Sequence, residues 1–293
     1  MPRIIITGAG GRLGAALTRE WKAAGLDVVG FGRQELDLAQ PERMRSVLEP
    51  LEFGVLVNCA AQTNVDRCES HIEEAMQINA HAVRTLGEIC AAKGARCIHI
   101  STDYIFEGTK STPYTEEDEV VPVSQYGASK RAGEIALLET SAGHLVARVA
   151  WVFGPDRSSF IDQMIERART SESVMAVCDK VAVPTYTLDA AALLRPLLFD
   201  VPAGGVVHVC NDGECTWQEY AQHAIDCAAE AGLALKTRTA GPLKMADLKS
   251  FIARRPPYSA MSTARLTRLT GLKPRPWRDA VREYVGKYVA RPA

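Results

Sequence analysis

Residues 4–14 of the chain read IIITGAGGRLG. The opening run of isoleucines is typical of a strand that is buried on both faces of a parallel sheet. In the turn that follows, Gly8 permits a tight bend, Gly11 lets a pyrophosphate approach the backbone, and Gly14 allows the next helix to pack closely on the strand. The apolar spacing after the turn predicts a helix over residues 12–24. This arrangement indicates a dinucleotide site with phosphates at the helix N-terminus, with a plain glycine-rich turn as the alternative.

Strand-like and helical patterns alternate through the first half of the chain. Further strands are predicted at residues 27–31, 53–61, 96–101 and 144–152, with helices between them. Such alternation favours an α/β fold with a Rossmann-type doubly wound parallel sheet. After Phe153 the alternation loosens. We therefore predict a dinucleotide-binding Rossmann domain over residues 1–154, rejoined by about residues 186–210, and a smaller α+β substrate domain, mainly residues 155–293.

Composition argues against several classes of protein. The chain has 293 residues and a formal net charge of −1, which gives no electrostatic footprint for nucleic acid or an anionic membrane. No apolar run approaches the roughly 20 residues of a transmembrane helix, and the N-terminus has no signal-peptide pattern. The eight cysteines include no C-x-x-C pair and suit buried thiols in a reducing cytoplasm better than disulfides. The six histidines lack ligand spacing supported by other donors, so no metal site is predicted.

The residues about 20 positions beyond the glycines bear on the choice of coenzyme. An Asp or Glu usually binds the free 2′-hydroxyl of NADH there, whereas this chain reads GFGR at residues 30–33. Arg33, together with Arg12 in the glycine-rich turn, would suit the 2′-phosphate of NADPH. We therefore predict a preference for NADPH, with NADH possible. The alternative is that Arg33 is a solvated loop charge.

Tyr126 and Lys130 are four residues apart in a predicted helix, which places them one turn above each other on the same face. Free tyrosine titrates near pH ~10 and lysine near ~10.4, so neither alone exchanges a proton readily at neutral pH. An ammonium about 4–6 Å away stabilises a phenolate and lowers the tyrosine pKa by about one to three units. The pair could then protonate a developing alkoxide, and the remaining lysine donors could bind a ribose hydroxyl. Taken alone, the spacing also fits an ordinary helix surface.

Small and polar residues follow two predicted strands at the carboxyl edge of the sheet, where ligands bind in such folds. Ala60 and Ala61 leave room for a ligand after one strand, and the stretch STDYIF at residues 101–106 ends another. Asn79 lies inside a helix predicted over residues 71–93. Because Asn is not favoured in helix interiors, we interpret it either as a surface residue or as a polar group near the site.

The order of these motifs resembles that of the extended short-chain dehydrogenases/reductases. A glycine loop, Asn-x-Ala-Ala, Ser-Thr and Tyr-x-x-x-Lys occur at residues 8–14, 58–61, 101–102 and 126–130. Further stretches are similar to the dTDP-4-dehydrorhamnose reductase family: VNCAAQTNVD at 57–66, STDYIF at 101–106, RVAWVF at 148–153, Pro184-Thr185, Thr216-Trp217 and Arg254-Arg255-Pro256. The resemblance covers nearly the whole chain.

The resemblance implies a role for each matching residue. Tyr126 would donate a proton, with Lys130 as its electrostatic partner and ribose ligand, and Thr102 would polarise the substrate carbonyl. Trp151, taken alone, is more typical of a core aromatic. The implied coenzyme site comprises Gly8, Gly10, Gly11, Arg12, Leu13, Arg33, Asp37, Leu38, Ala60, Ala61, Thr63, Asn79, Tyr126 and Lys130. The implied substrate site comprises Val65, Thr102, Asp103, Tyr104, Trp151 and Arg255, with Arg255 or its neighbour Arg254 as a diphosphate ligand.

The implied activity is the NADPH-dependent reduction of the 4-keto group of dTDP-4-dehydro-L-rhamnose to dTDP-L-rhamnose, a step of polysaccharide biosynthesis, by a cytoplasmic monomer or homodimer. Its partner would be a nucleotide sugar, not nucleic acid or a membrane. Tyr104 follows Thr102 and Asp103 and cannot remove a carbon-bound proton as a carboxylate would, so elimination of the dehydratase type is disfavoured. Two alternatives stay open. One is a reductase of another nucleotide-linked 4-ketosugar, and the other is a non-catalytic regulatory subunit similar to the β subunit of methionine adenosyltransferase.

Overall fold

The alternating strands and helices form a parallel sheet with helices on both faces in the computed structural model, which describes residues 2–201 and 204–290. The strands are β1 (Ile4–Thr7), β2 (Val28–Phe31), β3 (Val55–Asn58), β4 (Arg96–Thr102), β5 (Leu145–Val149), β6 (Val152–Phe153), β7 (Val174–Val177), β8 (Val181–Ala182), β9 (Thr185–Tyr186), β10 (Gly205–His208), β11 (Cys215–Thr216) and β12 (Ala240–Leu243). The helices are α1 (Arg12–Ala23), α2 (Pro41–Leu48), α3 (Val65–Ser70), α4 (Ile72–Met76), α5 (Ala82–Ala92), α6 (Gln125–Leu138), α7 (Phe160–Thr170), α8 (Thr187–Leu194), α9 (Pro196–Phe199), α10 (Trp217–Glu230), α11 (Ala264–Thr270) and α12 (Trp277–Tyr284). Short 3₁₀ helices cover Asp103–Ile105 and Met245–Asp247, and π-helical turns cover Gln77–His81 and Val285–Val289.

Six strands form the main sheet in the order β10-β5-β4-β3-β1-β2, with every neighbouring pair parallel. Apolar residues of β1 alternate between two layers, because Ile4 and Ile6 pack with α1 and α8 whereas Ile5 packs with α2 and α5. The predicted α/β class with a doubly wound parallel sheet is confirmed. Because β1 lies between β2 and β3, the winding reverses at β1, and the carboxyl ends of β1 and β3 flank a crevice of the kind that binds ligands.

The turn after β1 depends on glycine at its first bend. Gly8 has a φ of +67°, and a Cβ there would lie only 2.7 Å from the backbone nitrogen of Ala60 at the end of β3. A Cβ on Gly14 would collide with the carbonyl group of Gly8, so α1 packs directly against the turn. A larger residue at either position would force β1, β3 and α1 apart.

Two predicted elements differ from the structure. The helix predicted over residues 71–93 is divided, since α4 and α5 are joined by a π-helical turn that turns the side chain of Asn79 inward, where it is fully buried. The strand predicted over residues 144–152 is interrupted after Val149. There Trp151 adopts a φ of +43°, which an extended strand cannot accommodate.

The second half of the chain adds one strand to the sheet and builds a smaller layer beside it. β10 pairs with β5 at the sheet edge, while β6 with β9, β7 with β12 and β8 with β11 form two-stranded pairs. Phe153, Tyr186 and Tyr220 share a core with α7, α10 and α12. Helix α10 begins at a capping box, in which Thr216 Oγ1 accepts from the backbone N–H of Glu219 at 3.0 Å and the Glu219 carboxylate accepts from that of Thr216 at 2.7 Å.

Membrane-spanning helices and metal-binding clusters are both missing from residues 2–201 and 204–290. No helix within them is both long and apolar enough to cross a membrane. They also contain no group of three or more His, Cys, Asp and Glu side chains that could hold a metal ion.

Candidate active site

A cavity of about 760 Å³ opens at the carboxyl edge of the sheet. It extends from the glycine-rich turn, past the ends of β3 and β4, to Trp151 after β5. The predicted binding residues that line it are Gly8, Gly10, Gly11, Arg12, Leu13, Arg33, Asp37, Leu38, Ala60, Ala61, Thr63, Val65, Thr102, Asp103, Tyr104, Tyr126, Lys130 and Trp151. Its volume lies in the upper part of the range for small-molecule sites, about 300–1,000 Å³. One space therefore connects the residues predicted to bind coenzyme with those predicted to bind substrate.

Helix α6 presents Tyr126 to this cavity. The helix starts at Ser124, whose Oγ accepts from the backbone N–H of Gly127 at 3.2 Å, so Tyr126 lies in the first turn. Its ring packs edge-on against Tyr104, with centroids 5.6 Å apart. Thr102, at the end of β4, lies close enough to stabilise the ionised form of the Tyr126 hydroxyl. Side chains from two separate β/α units thus lie near each other in the cavity wall.

The electrostatics of the Tyr-Lys pair differ from the sequence prediction. Burial raises the pKa of Tyr126, and the nearby Thr102 hydroxyl opposes the rise only in part. The Lys130 amino group contacts the carbonyl oxygen of Ile100 at 2.7 Å and Nε2 of His99 at 2.9 Å, and burial lowers the pKa of Lys130 to about 7. The expected lowering of the Tyr126 pKa by Lys130 is therefore absent from this structure, because desolvation dominates at a fully buried phenol.

Two arginines lie beside the glycine-rich turn. The guanidinium of Arg12 donates to the carbonyl oxygens of Val152 at 3.2 Å, of Arg157 at 3.1 Å and of Ser158. These bonds tie the turn to the segment after β5. Because the Arg12 guanidinium is bonded to these carbonyl oxygens, Arg33 is the arginine of the predicted pair that is left for a 2′-phosphate. The sequence analysis missed Arg157, whose Nη2 lies 3.9 Å from the position that a Cβ of Gly10 would take. Its guanidinium suits a diphosphate on the turn, but an isolated arginine gives no sequence signal of that role.

Arg33 lies at the opposite end of the cavity, where the adenosine is expected. Its side chain is 77% exposed, and its Nε is 3.8 Å from the carboxylate of Asp37. A second carboxylate that the sequence analysis overlooked, Glu35, accepts from the backbone N–H of Gly32 at 2.6 Å. The guanidinium would favour a 2′-phosphate, whereas the two carboxylates would favour a free 2′-hydroxyl.

The substrate end of the cavity combines aromatic rings with buried charge. The indole N–H of Trp151 is buried and has no acceptor among the described residues. Behind the Tyr104 ring, Lys180 holds its Nζ 4.9 Å from the centroid, and burial lowers the pKa of Lys180 to about 8. Burial raises the pKa of the neighbouring Asp103 carboxyl, which accepts a hydrogen bond from Ser259. The sequence analysis missed Lys180, because the loop between β7 and β8 gives no sign of folding against the end of β4.

Two residues with predicted binding roles contact other protein groups and lie outside the cavity. Asn79 accepts from the backbone N–H of Gln62 at 2.8 Å and donates to Ser129 Oγ at 3.0 Å, so it joins the loop after β3 to α6. Arg255 donates to both carboxylate oxygens of Asp66, at 3.1 and 2.7 Å. This ion pair anchors the segment around Arg255 onto the first turn of α3. Three residues later, Tyr258 forms an isolated β-bridge with Val181.

Comparison with known proteins assigns the family. The family model described as the RmlD substrate binding domain matches residues 2–290. A dTDP-4-dehydrorhamnose reductase from Streptomyces griseus is 35% identical to this chain, and the match covers 96% of this chain and 92% of the relative. The chain belongs to the dTDP-4-dehydrorhamnose reductase family. The predicted family and the prediction of an oxidoreductase are thereby confirmed.

Other members of the family extend the comparison. A Streptomyces antibioticus protein named a probable dTDP-4,6-dihydroxy-2-methyloxan-3-one 4-ketoreductase is 36% identical, over 96% of this chain and 94% of its own length. The crystal structure of a dTDP-4-dehydrorhamnose reductase from Bacillus anthracis, in complex with NADP, is 30% identical with a TM-score of 0.89. That match covers 97% of this chain and 98% of the solved one.

Proposed function

We propose that this protein reduces the 4-keto group of dTDP-4-dehydro-L-rhamnose to dTDP-L-rhamnose with NADPH. One observation carries the proposal: Thr102, Tyr126 and Lys130 line the same cavity as the glycine-rich turn. The family and the functions named for its members supply the substrate class. Residues 155–293 would mainly bind the sugar nucleotide, and the free state of all eight cysteines suits a reducing cytoplasm.

The residues around the glycine-rich turn fit a dinucleotide coenzyme. At Gly8 a Cβ would fill the space next to Ala60, and the backbone N–H groups at the start of α1 offer a site for phosphate. Arg157 would add a cation to the diphosphate, while Asp37, Leu38 and Arg33 would hold the adenosine end. When bound, NADPH supplies the hydride. The NADP complex of the Bacillus anthracis relative supports this assignment.

The side chains at the other end of the cavity would complete the reduction. Hydrogen bonds from Thr102 and Tyr126 would polarise the ketone, because both side chains line the same cavity. As hydride arrives at the carbonyl carbon, the Tyr126 proton would pass to the developing alkoxide. A protonated Lys130 would stabilise the phenolate that remains. The unpartnered indole N–H of Trp151 would bind the sugar or its diphosphate.

Incubation of the pure protein with dTDP-4-dehydro-L-rhamnose tests the proposal directly. Loss of reduced-nicotinamide absorbance with formation of dTDP-L-rhamnose, identified by NMR of the product, is the expected result. Lack of turnover with this substrate, while the protein still binds NADPH, would contradict the substrate assignment. Lack of NADPH binding would instead contradict the coenzyme site.

A reductase of another nucleotide-linked 4-ketosugar is the second candidate, and the name of the Streptomyces antibioticus relative, a probable 4-ketoreductase of a different dTDP-sugar, favours it. A panel of dTDP-4-ketosugars ranked by kcat/KM would separate the two candidates. A regulatory subunit without activity is less favoured, since such a protein does not need Thr102, Tyr126 and Lys130 around one cavity. Stoichiometric capture of a methionine adenosyltransferase, with no turnover of any ketosugar, would support it.

Replacing Arg33 with serine should reduce the preference for NADPH over NADH roughly tenfold, about the effect of one charge-assisted hydrogen bond to phosphate. The loss should fall on kcat/KM for NADPH, while the value for NADH stays constant or rises. Arg43→Ser is the matched control, because Arg43 is exposed in the same region and donates to the carbonyl of Gln34. An unchanged ratio of kcat/KM for NADPH to that for NADH in Arg33→Ser would mean that Arg33 is a solvated charge that does not contact the coenzyme.

A further inference from the structure

A chain of buried hydrogen bonds runs across the sheet to Lys130. Thr7 Oγ1 at the end of β1 donates to Asn58 Oδ1 at the end of β3 at 2.6 Å. Asn58 Nδ2 lies 2.9 Å from Nδ1 of His99 on β4, and His99 Nε2 lies 2.9 Å from the Lys130 amino group on α6. Thr7, Asn58 and His99 are fully buried, and Lys130 is 1% exposed. Of these four side chains only Lys130 lines the cavity, so the chain can act on the site through that lysine.

The backbone fixes the direction of these hydrogen bonds. The N–H of Ala60 can only donate, and its acceptor is Asn58 Oδ1 at 3.1 Å. The amide nitrogen of Asn58 must therefore face His99, and it donates to Nδ1. A neutral imidazole carries a single proton, so the proton of His99 is on Nε2 and points at Lys130.

The amino group of Lys130 must accept this hydrogen bond. A neutral amine has one lone pair, which can receive the His99 proton while one of its N–H groups donates to Ile100 O at 2.7 Å. An ammonium has three donors and no lone pair. If Lys130 were charged, one of its N–H groups would therefore face the Nε2–H of His99, with no acceptor between them. The arrangement in the structure is therefore consistent only with neutral Lys130.

The other titratable groups near Lys130 do not replace this contact. Cys59 faces it from the end of β3, and Tyr126 and Glu134 flank it on α6. Glu134 is paired with Arg148 through two bonds of 2.9 Å. Burial is the largest cause that lowers the pKa of Lys130, and burial together with Lys130 lowers the pKa of His99. Both directions agree with a neutral imidazole beside a neutral amine.

We propose that Thr7, Asn58 and His99 are positioning residues that fix the tautomer of His99 and thereby store Lys130 as a neutral amine. Uptake of one proton from water converts Lys130 to an ammonium, which can no longer accept from His99. The charged amino group then leaves His99 and becomes available to the cavity, where Tyr126 lies one turn away. The inference uses the proposed function only for the role of the charged lysine.

Asn58→Asp tests this through a residue that does not touch Lys130. An aspartate would accept from Ala60, from Thr7 and from an Nδ1–H of His99, so the His99 proton would move to Nδ1. Nε2 would then accept from an ammonium, and the pKa of Lys130 should rise by about one unit or more. The readout is the titration of the lysine ¹³Cε chemical shift in selectively labelled protein, with the Lys130 signal assigned by its absence in Lys130→Arg.

The negative charge of the introduced aspartate would also raise the pKa of Lys130 by simple attraction, without a change of the His99 tautomer. The same substitution in a His99→Leu protein is therefore the control. We expect Asn58→Asp to shift the Lys130 midpoint when His99 is present and to shift it much less when His99 is leucine. Equal shifts in both backgrounds, or no shift in either, would overturn the proposal. If Asn58→Asp does not fold, His99→Gln serves instead: its amide oxygen can accept from an ammonium, so an unchanged midpoint there would equally overturn it. The titration needs neither coenzyme nor substrate, so its failure is distinguishable from failure of the reductase assay.

Discussion

Replacing Tyr126 with phenylalanine is expected to lower kcat by about 10²–10⁴-fold, the range attributed to a positioned general acid. The ring should remain in place, because its edge-on packing against Tyr104 does not involve the hydroxyl. Only the proton donor is lost. The affinity for NADPH, measured by quenching of protein fluorescence, should change little, since the ribose and phosphate contacts are made by other residues.

Tyr186→Phe is the matched control for this experiment. Tyr186 is buried, like Tyr126, and its hydroxyl has no hydrogen-bond partner among the described residues. It lies in the core beside Phe153, so loss of its hydroxyl should leave kcat within about twofold of the original value. A Tyr126→Phe variant that turns over as fast as Tyr186→Phe would mean that water or another group supplies the proton. Restoration of activity at lower pH would point to a solvent acid.

The parts of the fold that local chemistry determines were predictable from sequence. Gly8 and Gly14 marked the turn because positive φ and close backbone approach leave a residue-level signature. The capping box of Thr216 and Glu219 at the start of α10 is also a local feature, since it is contained within four residues. The Tyr-x-x-x-Lys spacing likewise placed Tyr126 and Lys130 on one helix face.

The contacts that could not be predicted from the sequence join distant segments. Arg12, predicted beside a phosphate, donates to carbonyl oxygens of the segment at 152–158. Arg255, predicted at a diphosphate, is paired with Asp66, which is 189 positions away. His99 read only as one histidine among several without metal-ligand spacing. Its significance appears when β1, β3 and β4 stand side by side and bring Asn58 to it.

Replacing Arg148 with methionine should lower the free energy of unfolding by about 3–5 kcal/mol, the cost of leaving a buried charge without its partner. Arg148 on β5 binds both carboxylate oxygens of Glu134 on α6, and both side chains are almost fully buried. The remaining partner of Glu134, Arg131, is partly exposed and cannot fully replace it. Urea unfolding followed by circular dichroism measures the loss.

A second substitution separates the unpaired charge from lost packing. Replacing Glu134 with leucine in the Arg148→Met protein removes the buried carboxylate, so the double variant should be more stable than Arg148→Met alone. Glu88→Gln is the exposed counterpart: its partner Arg45 lies 2.7 Å away with both side chains about two-fifths exposed, and its loss should cost less than about 1 kcal/mol. If Arg148→Met and Glu88→Gln cost the same, the buried pair does not hold α6 on the sheet. Helix α6 carries Tyr126, Lys130 and Glu134. The position of Tyr126 and Lys130 would then depend on the apolar contacts of this helix.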